Sequence, residues 1–133
     1  MLTAVSKQTY KLGDADMLRN IPVLLDGYKL MVSEDPQVKT RENANGESEV
    51  VTDWQGVPQY TVALFAKPLP VDGKPGGKGA EIRVTLETEP GEEISEGVRV
   101  ELVNPRVSHW ENELGGRMMS GLSWKATGIK LAG

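Results

Sequence analysis

Hydrophobic and polar residues alternate along much of this chain with the two-residue period that is typical of β-strands. The clearest alternation covers residues 80–87, in which Ala80, Ile82, Val84 and Leu86 are apolar and the residues between them are polar or charged. A strand with this pattern buries one face and exposes the other. Long helical patterns are few, so the chain is predicted to be all-β.

Four further segments are predicted to be strands because apolar residues dominate or alternate within them: residues 21–32, 59–66, 98–103 and 118–131. Gly27 interrupts the first of them, as is expected where a strand bends sharply. Residues 111–117 contain two glycines and are predicted to form a hairpin.

The remaining segments are predicted to be irregular. Residues 1–20 are expected to form an entry segment, with a short helical turn around Asp14–Arg19. Residues 33–57 and 67–79 are rich in turn residues and are predicted to be long loops.

Five strands without internal repeats, in a chain of 133 residues, predict one domain with the five-stranded Greek-key β-barrel of the OB type. This barrel would have long loops and little helix, and it would span residues 1–133. A β-sandwich would produce much the same alternation. The sequence alone therefore leaves these two architectures open.

Composition excludes several classes of protein. The chain has no cysteine, which rules out disulfides, thiolate metal sites and thiol catalysis. The N-terminus lacks the apolar core of a signal peptide, and no run approaches the roughly 20 apolar residues of a membrane span. We therefore expect a soluble cytoplasmic protein that does not bind a membrane.

Charge is distributed unevenly along the chain, whose formal net charge is −4. Acidic residues are concentrated in residues 34–53 and 87–101. From Pro105 onward there are four basic residues and two acidic ones, in addition to the single histidine. Because binding depends on local potential, the negative total weakens the case for a nucleic-acid ligand without removing it.

Two tryptophans are the strongest candidates for stacking on nucleic-acid bases. Trp110 shares strand parity with Arg106 and Ser108, so it is predicted to lie on the polar face of its strand. Trp54 lies in a polar segment where a large apolar ring has little local reason to be. The structural alternatives are that Trp110 closes one end of the barrel and that Trp54 anchors its loop.

Three other aromatic side chains are less clear candidates. Tyr60 and Phe65 lie on opposite faces of one predicted strand, so at most one of them belongs to the core, and the other is a candidate ligand contact. Trp124 has the parity of Leu122 and Ala126 and is predicted to be a core residue.

Basic residues on the predicted outer faces are candidates for contacting phosphates. The set comprises Arg83, Arg106, Arg117 and Lys125. Ordinary solvated charge is the alternative for each of them. The glycine-rich loop at residues 67–79 does not match a nucleotide-binding phosphate loop, because Lys78 is followed by Gly79 and a strand.

The sequence does not favour an enzyme. His109 is the only histidine, and in a strand its neighbour Ser108 points to the opposite side, so the two cannot form a nucleophile–base pair. His109, Glu111 and Glu113 share one parity, but no second cluster completes a metal site. We expect no catalytic residues, no metal and no cofactor.

The second half of the chain resembles bacterial and phage single-stranded DNA-binding proteins of the OB fold. The matching residues are Glu96-Gly97, Val98–Val103, Trp110-Glu111, Gly115-Gly116 and Ser120–Leu131. In the first half, Gly27–Leu30, Asp35-Pro36 and Asn45-Gly46 are similar to the first strand of that family and its following turns. Asp53–Pro58 and Ser123–Ala126 also resemble patterns in small plasmid and integrative-element proteins that act in replication or excision.

The resemblance implies a non-catalytic protein that binds single-stranded DNA without strong sequence preference, in a phage or plasmid and in DNA replication. Base stacking by Trp110, Trp54, Tyr60 or Phe65 would be combined with phosphate contacts. The sequence leaves open whether the nucleic acid is DNA or RNA. The protein is expected to form a homo-oligomer, namely a dimer. The alternative is a protein–protein interaction module, or a structural accessory protein of a phage or plasmid, on a small β-barrel or sandwich.

Overall fold

A computed structural model describes residues 18–132, which form β-strands joined by turns and loops, without a helix. The all-β class is therefore confirmed for this part of the chain. The strands are β1 (Ile21–Pro22), β2 (Tyr28–Val38), β3 (Thr40–Glu42), β4 (Ser48–Val50), β5 (Tyr60–Pro68), β6 (Ala80–Leu86), β7 (Arg99–Val103), β8 (Arg106–Leu114), β9 (Arg117–Ala126) and β10 (Gly128–Leu131). Within the described range no helix is long and apolar enough to cross a membrane. Most of the entry segment and its expected helical turn lie outside the described residues.

Eight of these strands form one mixed sheet in the order β1-β8-β9-β6-β5-β2-β7-β10. Neighbouring strands in it are antiparallel, except that β6 and β9 are parallel. Strands β3 and β4 form a separate two-stranded hairpin. Because β1 and β10 are edges, the sheet is not closed into a barrel, and the predicted five-stranded barrel is not confirmed.

The strand number exceeds five partly because two long strands are interrupted. Asn104, at φ 55°, and Pro105 separate β7 from β8. Proline has no N–H to donate, so the ladder stops there. Thr127 separates β9 from β10, and its N–H donates to the Val103 carbonyl at 2.9 Å. Hydrogen bonding thus continues from the β8–β9 hairpin into the β7–β10 pair.

The interpretation of residues 33–57 as one long loop is wrong. Strand β2 runs to Val38 and pairs with β5 along this length, with register shifts on either side of Glu34. The β3–β4 hairpin follows, and Asn43 organises its turn by accepting hydrogen bonds at Oδ1 from the Asn45 and Glu47 N–H groups. The polar composition did not prevent strand formation, because the adjacent strand β5 supplies backbone partners. The segment predicted as a strand at residues 21–32 is divided by the turn that contains Gly27.

The core is thin and aliphatic, as the low aromatic content requires. Its members come from the inner faces of β2, β5, β6, β7 and β9, with Ile94 contributed by the loop before β7. They are Leu30, Val32, Val62, Leu64, Val84, Leu86, Ile94, Val100 and Ala126. The alternation predicted for β6 is confirmed for Val84 and Leu86, which are fully buried, and for Ile82, which packs against the core half-buried. Ala80, at the start of the strand, is exposed.

Replacement of Leu64 tests where the core lies. Its side chain is 0% exposed, and Leu64→Ala is expected to lower the free energy of unfolding by about 2–5 kcal/mol, because it removes apolar contacts and leaves a cavity. Urea denaturation followed by circular dichroism measures this loss. Leu24→Ala is the matched control: Leu24 is 88% exposed, and its loss is expected to stay within about 0.5 kcal/mol. Equal losses in the two variants would place the core elsewhere.

Candidate nucleic-acid interface

The outer face of the sheet collects polar side chains where β6, β8 and β9 lie side by side. Ser108 of β8 is opposite Ser123 of β9, and Thr85 of β6 is beside Lys125 of β9. Side chains alternate between the two faces of a strand, so these residues lie opposite the core residues Val84 and Leu86. Trp110 has the parity of Ser108 and therefore belongs to the same face.

A pocket of about 310 Å³ opens on this face of the sheet. Three of its lining residues are cationic, three carry hydroxyl groups, and none is acidic. The lining residues are Arg19, Asn20, Lys39, Thr85, Ser108, His109, Trp110, Ser123, Trp124 and Lys125. In a chain that carries more acidic than basic residues, this pocket is a local concentration of positive charge.

Lys39 and Lys125 have an unusual electrostatic environment. The Lys39 ammonium donates to Thr85 Oγ1 at 2.9 Å and is partly buried. Burial lowers the pKa of Lys39, and the neighbouring Lys125 ammonium lowers it further. Within residues 18–132 neither lysine forms an ion pair, and neither does Arg19. The pocket therefore presents charge that an anionic ligand would neutralise.

The side chain of Trp110, which belongs to β8, packs over β9 at one side of this pocket. Its register partner is Gly121, and a Cβ atom at that position would lie 2.7 Å from Trp110 Cζ2. Only a glycine leaves room for the indole there. The residue remains 36% exposed, so an aromatic surface lies directly beside the basic pocket. An exposed ring beside cationic side chains is an arrangement on which a nucleic-acid base can stack.

Lys39 also holds the base of the loop that carries Trp54. Its N–H donates to the Gln59 carbonyl at 2.8 Å, and its carbonyl accepts from the Val51 N–H at 2.9 Å. Trp54 lies in a tight turn in which Asp53 Oδ1 accepts from two backbone N–H groups, and it is 89% exposed. The ring therefore does not anchor the loop. It is presented to solvent on a turn whose flanking residues, Val51 and Gln59, are hydrogen-bonded to the Lys39 backbone.

Two predicted phosphate contacts are engaged in ion pairs instead. Arg106 pairs with Glu87 at 2.7 Å and is largely buried. Arg83 pairs with Glu34 at 3.1 Å. The registers place Ala63 between Arg83 and Glu34, so this pair crosses over Ala63 and explains why an outward-facing alanine is fully buried.

The other predicted residues lie outside the pocket. Tyr60 is half-buried and packs against the core, whereas Phe65 is 41% exposed on the opposite face. The prediction that these two rings face opposite sides is confirmed. Arg117 is exposed beside the Gly115-Gly116 turn of the β8–β9 hairpin. Of the eight residues predicted from the sequence, the structure brings Trp110 and Lys125 together in one pocket.

The other eight lining residues were not predicted as ligand contacts, and Lys39, Arg19 and Trp124 are the largest side chains among the cations and aromatics of that set. Lys39 fell within the segment interpreted as a loop, and no local pattern distinguishes it from other lysines. Arg19 fell in the entry segment. Trp124 was assigned to the core, and it does pack against the core while also lining the pocket. Of these three residues, only Trp124 had a signal in the sequence. Strand alternation places its indole on the inward face, next in sequence to the cation Lys125.

Neither a protein-family model nor a curated protein matches this chain. The resemblance to single-stranded DNA-binding proteins stays a prediction. The geometry and charge of the pocket are therefore the features that bear on function.

Substitution of Gly121 tests the position of Trp110. Gly121→Ala is expected to displace the Trp110 indole, because the new methyl group would overlap it. Tryptophan emission should change, and the free energy of unfolding should fall by about 1–3 kcal/mol. Fluorescence spectra and urea denaturation measure the two effects. Gly27→Ala is the control, since a Cβ at Gly27 meets nothing within 4 Å. An unchanged emission spectrum in Gly121→Ala would show that the Trp110 indole does not pack against Gly121 of β9.

Replacement of Lys39 tests the charge of the pocket. Lys39→Met keeps the aliphatic stem and removes a partly buried ammonium repelled by Lys125, so the urea midpoint at pH 7 is expected to rise. The lowered folded-state pKa fixes the sign: above the ordinary value of 10.5, Lys39 is neutral in both states and carries no penalty. Stability is lost as the pH falls from 10.5 through the lowered pKa.

The advantage of Lys39→Met is therefore expected to be full at neutral pH and to shrink as the pH approaches 10.5. Denaturation of both proteins across this range measures the difference. Lys67→Met, at an exposed position outside the pocket, is expected to show no such dependence. A Lys39→Met protein less stable than the parent at pH 7 would contradict the charge repulsion.

Proposed function

We propose that this protein is a non-catalytic single-stranded DNA-binding protein with little sequence preference. The observation that carries the proposal is the pocket in which Trp110 lies next to Lys39 and Lys125 without an acidic side chain in its lining. Stacking on an aromatic ring contributes roughly 1–3 kcal/mol per base and tolerates every base. Ammonium groups attract phosphates regardless of sequence.

The strand pairings support an OB-type barrel as the fold behind this function. If β7 and β8 are counted as one bent strand, and β9 and β10 as another, the long strands are β2, β5, β6, β7–β8 and β9–β10. When these five strands are numbered in chain order, the first strand pairs with the second and the fourth. The second strand also pairs with the third, the third with the fifth, and the fifth with the fourth. An OB barrel is a partly open five-stranded Greek-key barrel, which is compatible with the edges at β1 and β10.

The candidate residues contribute unequally under this proposal. Trp110 stacks a base while Lys39 and Lys125 contact phosphates. Trp54 offers a second ring on an exposed turn, and Arg117 offers a charge on the hairpin. Arg83 and Arg106 contribute less than the sequence indicates, because Glu34 and Glu87 neutralise them.

Phe65 is an auxiliary platform on the exposed face of β5, and Tyr60 is a weaker one because it packs against the core. The proposal includes no cofactor. The edge strands β1 and β10 offer surfaces on which the expected dimer would form.

A protein-binding module is the second candidate, and one observation favours it. A groove of about 570 Å³ lies on another part of the surface. Leu24 and Tyr28 are exposed in its lining, beside Arg99 and Glu101. An apolar groove bordered by charged residues suits a protein partner.

Titration with oligo-dT, followed by tryptophan fluorescence, tests the proposed function. Saturable quenching is expected, and added salt should weaken binding with a slope of log affinity against log salt of about −0.7 for each phosphate contacted. Trp110→Ala should weaken binding by roughly 1–3 kcal/mol.

The control separates the two candidate functions. Tyr28→Ala alters the apolar groove and is expected to leave oligo-dT affinity unchanged. Absence of quenching, together with no change in the anisotropy of a labelled oligo-dT, would refute the DNA-binding proposal and favour a protein partner.

A further inference from the structure

The pocket concentrates more positive charge than one internal phosphate of a nucleic-acid strand can neutralise. Lys39, Lys125 and Arg19 line the same space. The Lys125 ammonium contributes to lowering the pKa of Lys39, after the larger effect of burial. An internal phosphodiester carries one negative charge, whereas a phosphomonoester carries about −1.5 to −2 at pH 7. A monoester therefore matches the two lysines better than a diester does.

Hydroxyl groups around the lysines suit the additional oxygen of a monoester. Thr85, Ser108 and Ser123 all line the pocket. Ser108 Oγ accepts from the Asn20 N–H at 2.9 Å and Thr85 Oγ1 accepts from Lys39 at 2.9 Å, so the proton of each hydroxyl stays available for donation. A monoester has three terminal acceptor oxygens, and these donors can serve them.

The size of the pocket indicates how much of a strand it holds. About 310 Å³ is at the lower limit of ligand sites, which range over roughly 300–1,000 Å³, and it fits one nucleotide. Trp110 lies at the pocket, where the base of that nucleotide would stack.

We propose that this pocket binds the phosphorylated terminal nucleotide of a single strand, with the phosphomonoester between Lys39 and Lys125 and the base on Trp110. The proposal rests on the proposed function and adds a preference for strand ends that carry a phosphate. A protein with this preference would recognise strands left by cleavage or held ready for ligation, in addition to continuous single strands.

The test compares dT6 with a 5′-phosphate, with a 3′-phosphate and with no phosphate, at one salt concentration and pH 7.5. One phosphorylated form is expected to bind about tenfold more tightly than the unphosphorylated form, because a monoester carries more negative charge than a diester and offers the lysines and hydroxyl groups a third terminal oxygen. Free dTMP should compete more weakly than that strand. If it binds as tightly, the ligand is a mononucleotide, and the assignment to a strand end is overturned.

Variants tie the preference to the pocket. In Lys39→Met and in Lys125→Gln, the tenfold preference is expected to fall to about one. Lys67→Met removes the same charge outside the pocket and should retain the preference. Retention of the preference in either folded pocket variant overturns the assignment of the phosphate to the two lysines.

The outcomes separate this inference from the proposed function. Equal affinities for all three dT6 strands would refute the preference for ends and leave single-strand binding intact. No binding of any strand would refute both.

Discussion

The three-residue parallel pairing between β6 and β9 is the connection on which the polar face with the Lys39–Lys125 pocket depends. It joins Val84, Thr85 and Leu86 to Trp124, Lys125 and Ala126. Without it, the β8–β9 hairpin would have no neighbour on that side, and Lys125 would not lie beside Thr85. A parallel pair cannot be made by a tight turn, so it requires the long excursion of the chain between residues 86 and 124.

This pairing gives β6 and β9 one face that packs in the core and one face that lines the pocket. Val84, Leu86 and Ala126 are completely buried and hold β6 and β9 in register through the core. Thr85 and Lys125, which alternate with them, face the pocket. Core packing therefore sets the positions of Thr85 and Lys125, and a site on strands is held more rigidly than one on loops.

The arrangement of Lys39 and Lys125 in the pocket is electrostatically unfavourable for the folded protein. Four cations of the described chain form ion pairs, among them Arg83 with Glu34 and Arg106 with Glu87. Lys39 and Lys125 are instead placed near each other and partly buried, which lowers the pKa of Lys39. Perturbed titrating groups in a concave site are frequent at functional positions, because function opposes the arrangement that is best for stability.

The sequence by itself determined the β class, the core alternation of β6, the Gly115-Gly116 turn and the opposite orientations of Tyr60 and Phe65. Each of these follows from the two-residue period of a strand or from local turn chemistry, which depend on neighbours in the chain.

Tertiary structure alone decided which candidates meet. Lys39 and Lys125 are far apart in sequence, and it is strand register that brings them together. Pairing partners also decided that Arg106 is neutralised and that residues 33–38 continue a strand. Register and pairing are long-range properties, set by how core faces combine, and no local pattern encodes them.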